Sequence, residues 1–285
     1  MRIRTTLAAL CLAALAGGAV LAAGAEGEVE NVAFSFEGPF GVFDRAQLQR
    51  GYQVYSEVCA TCHGLQYLAF RNLGSETGPG FPEEQVKAFA AQHEFPREDA
   101  PDETRPGVPA DHFPTPEYFG DGHPPDLSLI AKARAGFHGP FGTGINQILK
   151  GGGGPEYLYS TMMGYAETPA CAADADIAGY YNTAFIAGGF PASCIDEHGH
   201  HMVPGSWIAM PPPISDGIVE YADGTEATAH QVSEDIAAFL MWAAEPKMME
   251  RKEAGLRNFV WLGILAVMLY FVNKKIWAPV KRDHA

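Results

Sequence analysis

The sequence predicts a mainly α-helical protein with long loop insertions and one C-terminal transmembrane helix. Three observations carry this. Apolar residues recur at helical spacing near both ends of the body of the chain, a proline-rich middle is interleaved with aromatics, and an uncharged apolar run lies close to the C terminus. The first element is N-terminal: Arg2 and Arg4 precede an apolar run from Leu7 to Ala23, with small residues at Ala23, Gly24 and Ala25. A charged start, an apolar middle and an A-x-A site mark an export signal, so residues 1–25 are expected to be removed. Cleavage after Ala22 would serve nearly as well. Cys11 follows Leu10 inside the apolar run, not a small residue at the cleavage site, so it is not a lipid-attachment cysteine.

The next element is "FDRAQLQRGYQVYSEVCATCHG". Asp44 is an N-cap candidate with Gln47 three residues on, as in a capping box. Leu48, Tyr52, Tyr55 and Cys59 then recur at helical spacing, predicting an amphipathic helix that ends at the cysteines. Eleven of the 21 prolines fall between Pro79 and Pro140, interleaved with Phe81, Phe89, Phe95, Phe113, Tyr118, Phe119 and Phe137. The aromatics supply surface to bury, so this region reads as ordered loops wrapped on a core. "KGGGGPEY" (Lys150–Tyr157) lacks the lysine and hydroxyl residue of a phosphate-binding loop and reads as a tight turn. "EHGHHM" (Glu197–Met202) matches no structural zinc spacing and reads as an exposed loop.

Val232, Ile236, Phe239 and Ala243 form a second helical stripe, followed by Pro246. The final element, "GLRNFVWLGILAVMLYFVNKKIW", has an uncharged core from Asn258 to Asn273 and with its flanks is long enough to cross a bilayer. Trp261, Tyr270, Phe271 and Trp277 lie along it or near its ends, as membrane interfaces favour. Lys274, Lys275, Lys281 and Arg282 follow, so the positive-inside rule puts the tail in the cytoplasm and the body in the periplasm. The organisation expected is a signal at 1–25, an exported domain at 26–246, a membrane-proximal junction at 247–256, a membrane helix at 257–277 and a tail at 278–285.

The whole chain carries −15, and residues 26–246 alone carry 9 basic against 31 acidic side chains, a net charge of −22. An excess of that size repels nucleic acid and acidic membrane surfaces and attracts basic partners from a distance.

One short stretch carries the chemistry. In "EVCATCHGLQYL", Cys59 and Cys62 stand three residues apart with His63 directly behind. A dithiol redox pair has no use for the histidine, and a zinc site needs a second ligand pair that the sequence lacks. C-x-x-C-H fits covalent attachment of one haem c, with two thioethers and His63 on the iron. The sixth iron position decides between electron transfer and ligand binding. Methionine there closes the iron and raises its potential, whereas an open position suits a gas-binding protein or haem enzyme. Met210, in "GSWIAMPPPISDG", sits before three prolines that stiffen its backbone. From the residues alone, Met162, Met163 and Met202 remain alternatives, while Met241 reads as packing and Met248 and Met249 lie at the membrane junction.

The chain resembles the cytochrome c1 family, the haem c subunits of ubiquinol–cytochrome c reductase, the cytochrome bc1 complex. "VYSEVCATCHG", "PPDLSLIAKARAG", "GGPEYLY", "WIAMPPPI", "EDIAAFLMWAAEP" and "NKKIWAPVKR" carry the resemblance, in the family's order. It implies a cytochrome c-like haem domain with long insertions, Cys59 and Cys62 holding the haem, and His63 and Met210 as axial ligands. It implies further that Pro124 and Pro125 pack on the haem and that Arg134 pairs with a propionate. The partners implied are cytochrome b, the Rieske iron–sulfur protein as electron donor, and a soluble or membrane-tethered cytochrome c as acceptor. Quinol is then oxidised on other subunits, and this chain has no acid–base catalytic residue. A stand-alone membrane-anchored cytochrome feeding an oxidase is the alternative. With Cys11 lost and Cys59 and Cys62 on haem, Cys171 and Cys194 are left in an oxidising compartment, where a disulfide between them is expected; the resemblance permits that bridge without requiring it.

Overall fold

A computed structural model describes residues 27–97, 99–100, 102–120, 122–134 and 150–283. The expected export signal, Cys11 and Phe137 lie outside the described residues. Helix α1 (Arg45–Glu57) starts where the sequence places its cap: Asp44 Oδ1 accepts from the N–H groups of Ala46 (2.8 Å) and Gln47 (3.2 Å). The reciprocal half of the capping box is not made by Gln47. Ser35, brought in by the preceding segment, takes the Asp44 N–H on its Oγ at 3.2 Å. Leu48, Tyr52, Val54 and Tyr55 are buried, and the helix gives way to a 3₁₀ turn at Cys59–Thr61.

Helix α5 (Ala229–Ala244) is capped by Thr228, whose side chain accepts from the Gln231 N–H at 3.2 Å. Its stripe of Val232, Ile236, Phe239 and Ala243 is buried, as the periodicity predicts. Helices α1 and α5 cross at backbone contact, because a Cβ added to Gly51 would fall 2.2 Å from the Asp235 carbonyl oxygen. Glycine is required there. Around the crossing, the Tyr52 ring meets Phe81, Phe89, Phe113 and Phe239 at centroid distances of 5.5, 4.9, 6.3 and 5.9 Å. The proline-rich insertion is thus wrapped on the core by its aromatics. It includes α2 (Glu83–Ala90) and an antiparallel pair, β1 (Glu94–Pro96) with β2 (Thr104–Pro106). Tyr118 and Phe119 depart from that expectation. They lie beyond Phe113, which reaches the core, and Phe119 is 90% exposed.

Short helix α3 (Ile130–Ala133) packs on α4 (Gly154–Met163). The glycine run before α4 is the turn the sequence suggests. Gly151 and Gly153 adopt φ of 100° and 78°, and a Cβ at Gly154 would sit 1.7 Å from the Ala131 carbonyl. A second, smaller core forms around Ala172, Tyr181, Cys194 and Trp207. It is built on β3 (Tyr180–Asn182) paired antiparallel with β4 (Ser206–Ile208).

Cys171 and Cys194 are joined by a disulfide across this second core, with Cα atoms 5.1 Å apart. The bridge closes a loop of about 24 residues, worth roughly 3 kcal/mol in the chain-entropy account. Replacing both cysteines by serine should lower unfolding stability by that order, read by denaturant titration against the parent protein. An unchanged midpoint would show that β3–β4 pairing holds the segment without the bridge.

Helix α6 (Met248–Asp283) leaves the domain directly after α5. Its apolar stretch has a mean hydropathy of 1.7 and none of it is buried, so it is long and apolar enough to span a membrane. The junction at 247–256 is largely part of the same helix. Lys252 ties the base of α6 to the N-terminal segment, its ammonium donating to the carbonyls of Phe36 (2.6 Å) and Gly41 (3.1 Å).

Candidate functional site

The Cys59–Thr61 turn places the two cysteines and the histidine together by local hydrogen bonds: the N–H groups of Cys62 (3.1 Å) and His63 (2.9 Å) both donate to the Cys59 carbonyl. Cys59 and Cys62 are free thiols, not bridged to each other, and both are half-buried. Burial, helped by the nearby Cys62, pushes the Cys59 thiol up to about 12. A dithiol redox centre needs the opposite shift, toward a reactive thiolate.

His63 Nδ1 lies 2.8 Å from the Pro125 carbonyl oxygen. That oxygen can only accept, so Nδ1 carries the proton and Nε2 keeps its lone pair for a metal. Tyr55 donates its hydroxyl to the His63 carbonyl at 3.0 Å, fixing the backbone on the other side. The segment bearing Pro124 and Pro125 is laced to the residues after His63. Leu127 N–H donates to the Gly64 carbonyl (2.9 Å), Gln66 N–H to Asp126 Oδ2 (2.8 Å), and Tyr67 N–H to Ser128 Oγ (3.0 Å). A Cβ at Gly64 would meet Asp126 Oδ2 at 3.2 Å on this segment and Thr115 Oγ1 at 2.8 Å beside it, so both approach the chain closely here.

The same segment runs toward the methionine. A Cβ at Gly122 would stand 3.9 Å from the Ala209 Cβ, so the chain around Pro124 and Pro125 connects His63 on one side with the neighbour of Met210 on the other. Met210 is half-buried, and its carbonyl accepts from the Tyr165 hydroxyl at 3.0 Å. The three rival methionines sit differently. Met162 packs on the main core, Met163 is 39% exposed, and Met202 is 60% exposed with its N–H on the Cys194 carbonyl. Arg134, half-buried, ends α3, and its charge favours ionisation of the nearby Tyr157 hydroxyl, partly offsetting the effect of burial. The histidines of the loop at 197–202 are engaged locally, His201 stacking on the Phe190 ring at a centroid distance of 3.8 Å. Asp196 organises that loop by accepting from the N–H groups of His198 and His200, both at 2.8 Å.

These positions fit a haem: two unpaired thiols, an imidazole with its Nε2 left free, and a thioether on a separate stiff segment. The Cytochrome C1 family model matches residues 34–280. A cytochrome c1 of Cereibacter sphaeroides is 53% identical over 98% of this chain and 96% of its own length. The chain belongs to the cytochrome c1 family. A cytochrome c1 of Rhodobacter capsulatus is 49% identical, covering 98% of each chain. A cytochrome b/c1 of Bradyrhizobium diazoefficiens is 42% identical over 86% of this chain and 35% of its own length. Cytochrome c1 proteins are the haem-bearing electron-transfer subunits of the bc1 complex, an oxidoreductase, and helix α6 is the matching membrane anchor.

Sequence reading missed several residues that build the site. Tyr55 and Tyr165 hold the carbonyls of His63 and Met210, and Asp126 holds the Gln66 N–H three residues after His63. Away from those contacts, sequence reading also missed that the Glu156 carboxyl of "GGPEYLY" is buried and pushed up to about 7 by burial, with Glu37 adding to the shift. Tyr55, Asp126 and Glu156 lie inside motifs already singled out, whereas Tyr165 lies outside all of them and carried no sequence signal.

Proposed function

We propose that this chain carries one covalently attached haem c, takes single electrons from the Rieske iron–sulfur protein and passes them to a soluble or membrane-tethered cytochrome c. The observation that carries this reading is the His63 imidazole, locked on the Pro125 carbonyl beside two free thiols at C-x-x-C-H spacing. Cys59 and Cys62 would attach the haem through its vinyl groups, and His63 Nε2 and the Met210 sulfur would ligate the iron. Pro124 and Pro125 would pack against the group, and Arg134 would pair with a propionate. When bound, the haem supplies a one-electron iron couple with a potential raised by thioether ligation. The chain itself positions, desolvates and tunes; it moves no proton in quinol oxidation, which belongs to other subunits.

Cytochrome b is the other core partner. The Bradyrhizobium relative supports this, because its name, cytochrome b/c1, joins the two and the match covers about a third of it. The basic residues after the membrane core put the C-terminus in the cytoplasm and the haem domain in the periplasm, behind a cleaved signal at 1–25. Residues 26–246 then form the haem domain, 247–256 the junction, 257–277 the membrane helix and 278–285 the tail.

The test is purification of the detergent-solubilised protein from its native membrane. Cytochrome b should copurify, and added quinol should reduce the haem and then cytochrome c. A haem protein that purifies without cytochrome b and is not reduced by quinol would be a stand-alone carrier. The −22 charge of residues 26–246 adds a kinetic expectation. Electron transfer to a basic cytochrome c should slow as salt rises, because screening shortens the reach of the acidic field. Stopped-flow rates independent of ionic strength at low salt would assign that acidity to solubility alone.

A further inference from the structure

Three consecutive prolines, Pro211 to Pro213, follow Met210 and offer no N–H by which the backbone could be anchored. The carbonyls of this segment must therefore supply its hydrogen bonds. The hydroxyl of Tyr165 donates to the Met210 carbonyl at 3.0 Å and lies 3.4 Å from the Pro211 carbonyl, bridging the peptide that leaves the methionine.

Tyr165 is itself firmly held. It follows Gly164 at the end of α4 and forms an isolated antiparallel bridge with Asn182, while the Ala166 N–H donates to the Tyr181 carbonyl at 3.2 Å. Asn182 is fully buried. Its amide donates to the Thr161 carbonyl (2.7 Å), and its side-chain oxygen accepts from the N–H groups of Ala184 and Phe185, both at 3.0 Å. The same strand β3 pairs with β4, which ends at Ile208, two residues before Met210. The methionine is thus approached from two sides by one rigid unit: β4 delivers its N-terminal side, and Tyr165 holds its C-terminal side.

A cavity of about 540 Å³ opens beside this tether, lined in part by Tyr165, Glu167, Tyr180 and Pro212. Without the hydroxyl, the proline segment has open space next to it and no carbonyl restraint from Tyr165. We infer that Tyr165 is a positioning residue for the haem iron, acting through the Met210 backbone to keep the thioether at bonding distance. This rests on Met210 being the axial ligand.

The experiment compares Tyr165→Phe with Tyr181→Phe in the assembled, membrane-bound complex. Tyr181 is the matched control, because its hydroxyl also donates to a backbone carbonyl, that of Pro204 at 2.6 Å, six residues before the methionine. Tyr165→Phe should keep its covalent haem, shift the haem midpoint potential downward, and let reduced haem bind carbon monoxide in a measurable fraction. Tyr181→Phe should leave potential and carbon monoxide exclusion at parent values while lowering thermal stability. A parent potential with full carbon monoxide exclusion in Tyr165→Phe would overturn the inference, and so would equal shifts in both variants. Failure of the underlying assignment is distinguishable, because Met210→Leu would then also leave the potential unchanged. Should Tyr165→Phe assemble poorly, redox titration and carbon monoxide binding on the haem-containing fraction still decide the matter.

Discussion

Replacing Met210 with leucine should leave the haem attached, lower its potential sharply, and open the iron to carbon monoxide. Leucine keeps a similar volume and removes only the thioether, so β4 and the Tyr165 contact with the backbone carbonyl are expected to survive. The thioether favours ferrous over ferric iron, and its loss should move the potential by a sizeable part of the roughly 0.8 V that axial ligands span. A fall of that size makes the haem a poor acceptor, so quinol-driven reduction of cytochrome c should be lost although the complex assembles. Redox titration of isolated membranes checks this directly. If the variant keeps the parent potential and excludes carbon monoxide, the ligand is another side chain.

Elements whose information is local were legible in the sequence. The Asp44 cap, the α1 and α5 stripes, the glycine turn before α4 and the apolar run of α6 each depend on residues within a few positions of one another. The cysteines and histidine of the candidate site were legible for the same reason, since one short turn holds all three. What could not be read was whatever depends on chain closure. Tyr165 meets the Met210 carbonyl across 45 positions, and Asp126 meets the Gln66 N–H across 60. No local pattern encodes such pairs. The capping box failed for a related reason: Ser35, nine residues upstream, occupies the donor that Gln47 would have bound. Tyr118 and Phe119 show the limit of composition, because an aromatic ring in a loop can be buried only if the loop turns back to the core.

A buried long-range contact of this kind predicts the largest loss of stability. Arg50 on α1 grips Asp235 on α5 with two hydrogen bonds, Nε to Oδ2 at 2.8 Å and Nη2 to Oδ1 at 3.1 Å, across 185 positions. Asp235 is fully buried and also accepts from the Gln231 amide at 3.0 Å. The guanidinium reaches on to Asp223 at 3.0 Å and lies 5.8 Å from the Tyr221 ring centroid, so one side chain joins α1, α5 and the loop between Met210 and α5. Its partners are not equal. Asp223 is 42% exposed and screened by water, whereas Asp235 sits at the α1–α5 crossing beside Gly51. Asp235→Ala leaves a largely buried cation without its main partner and should cost about 3–5 kcal/mol. Asp223→Ala removes only the solvated contact and should cost under about 1 kcal/mol. Asp235→Asn keeps an acceptor for Arg50 and Gln231 while losing the charge, and should fall between them. Denaturant unfolding followed by the haem absorption band ranks the three variants. Equal losses for Asp223→Ala and Asp235→Ala would mean that the crossing is held by its apolar surface, with Arg50 serving only as a cover over Tyr221.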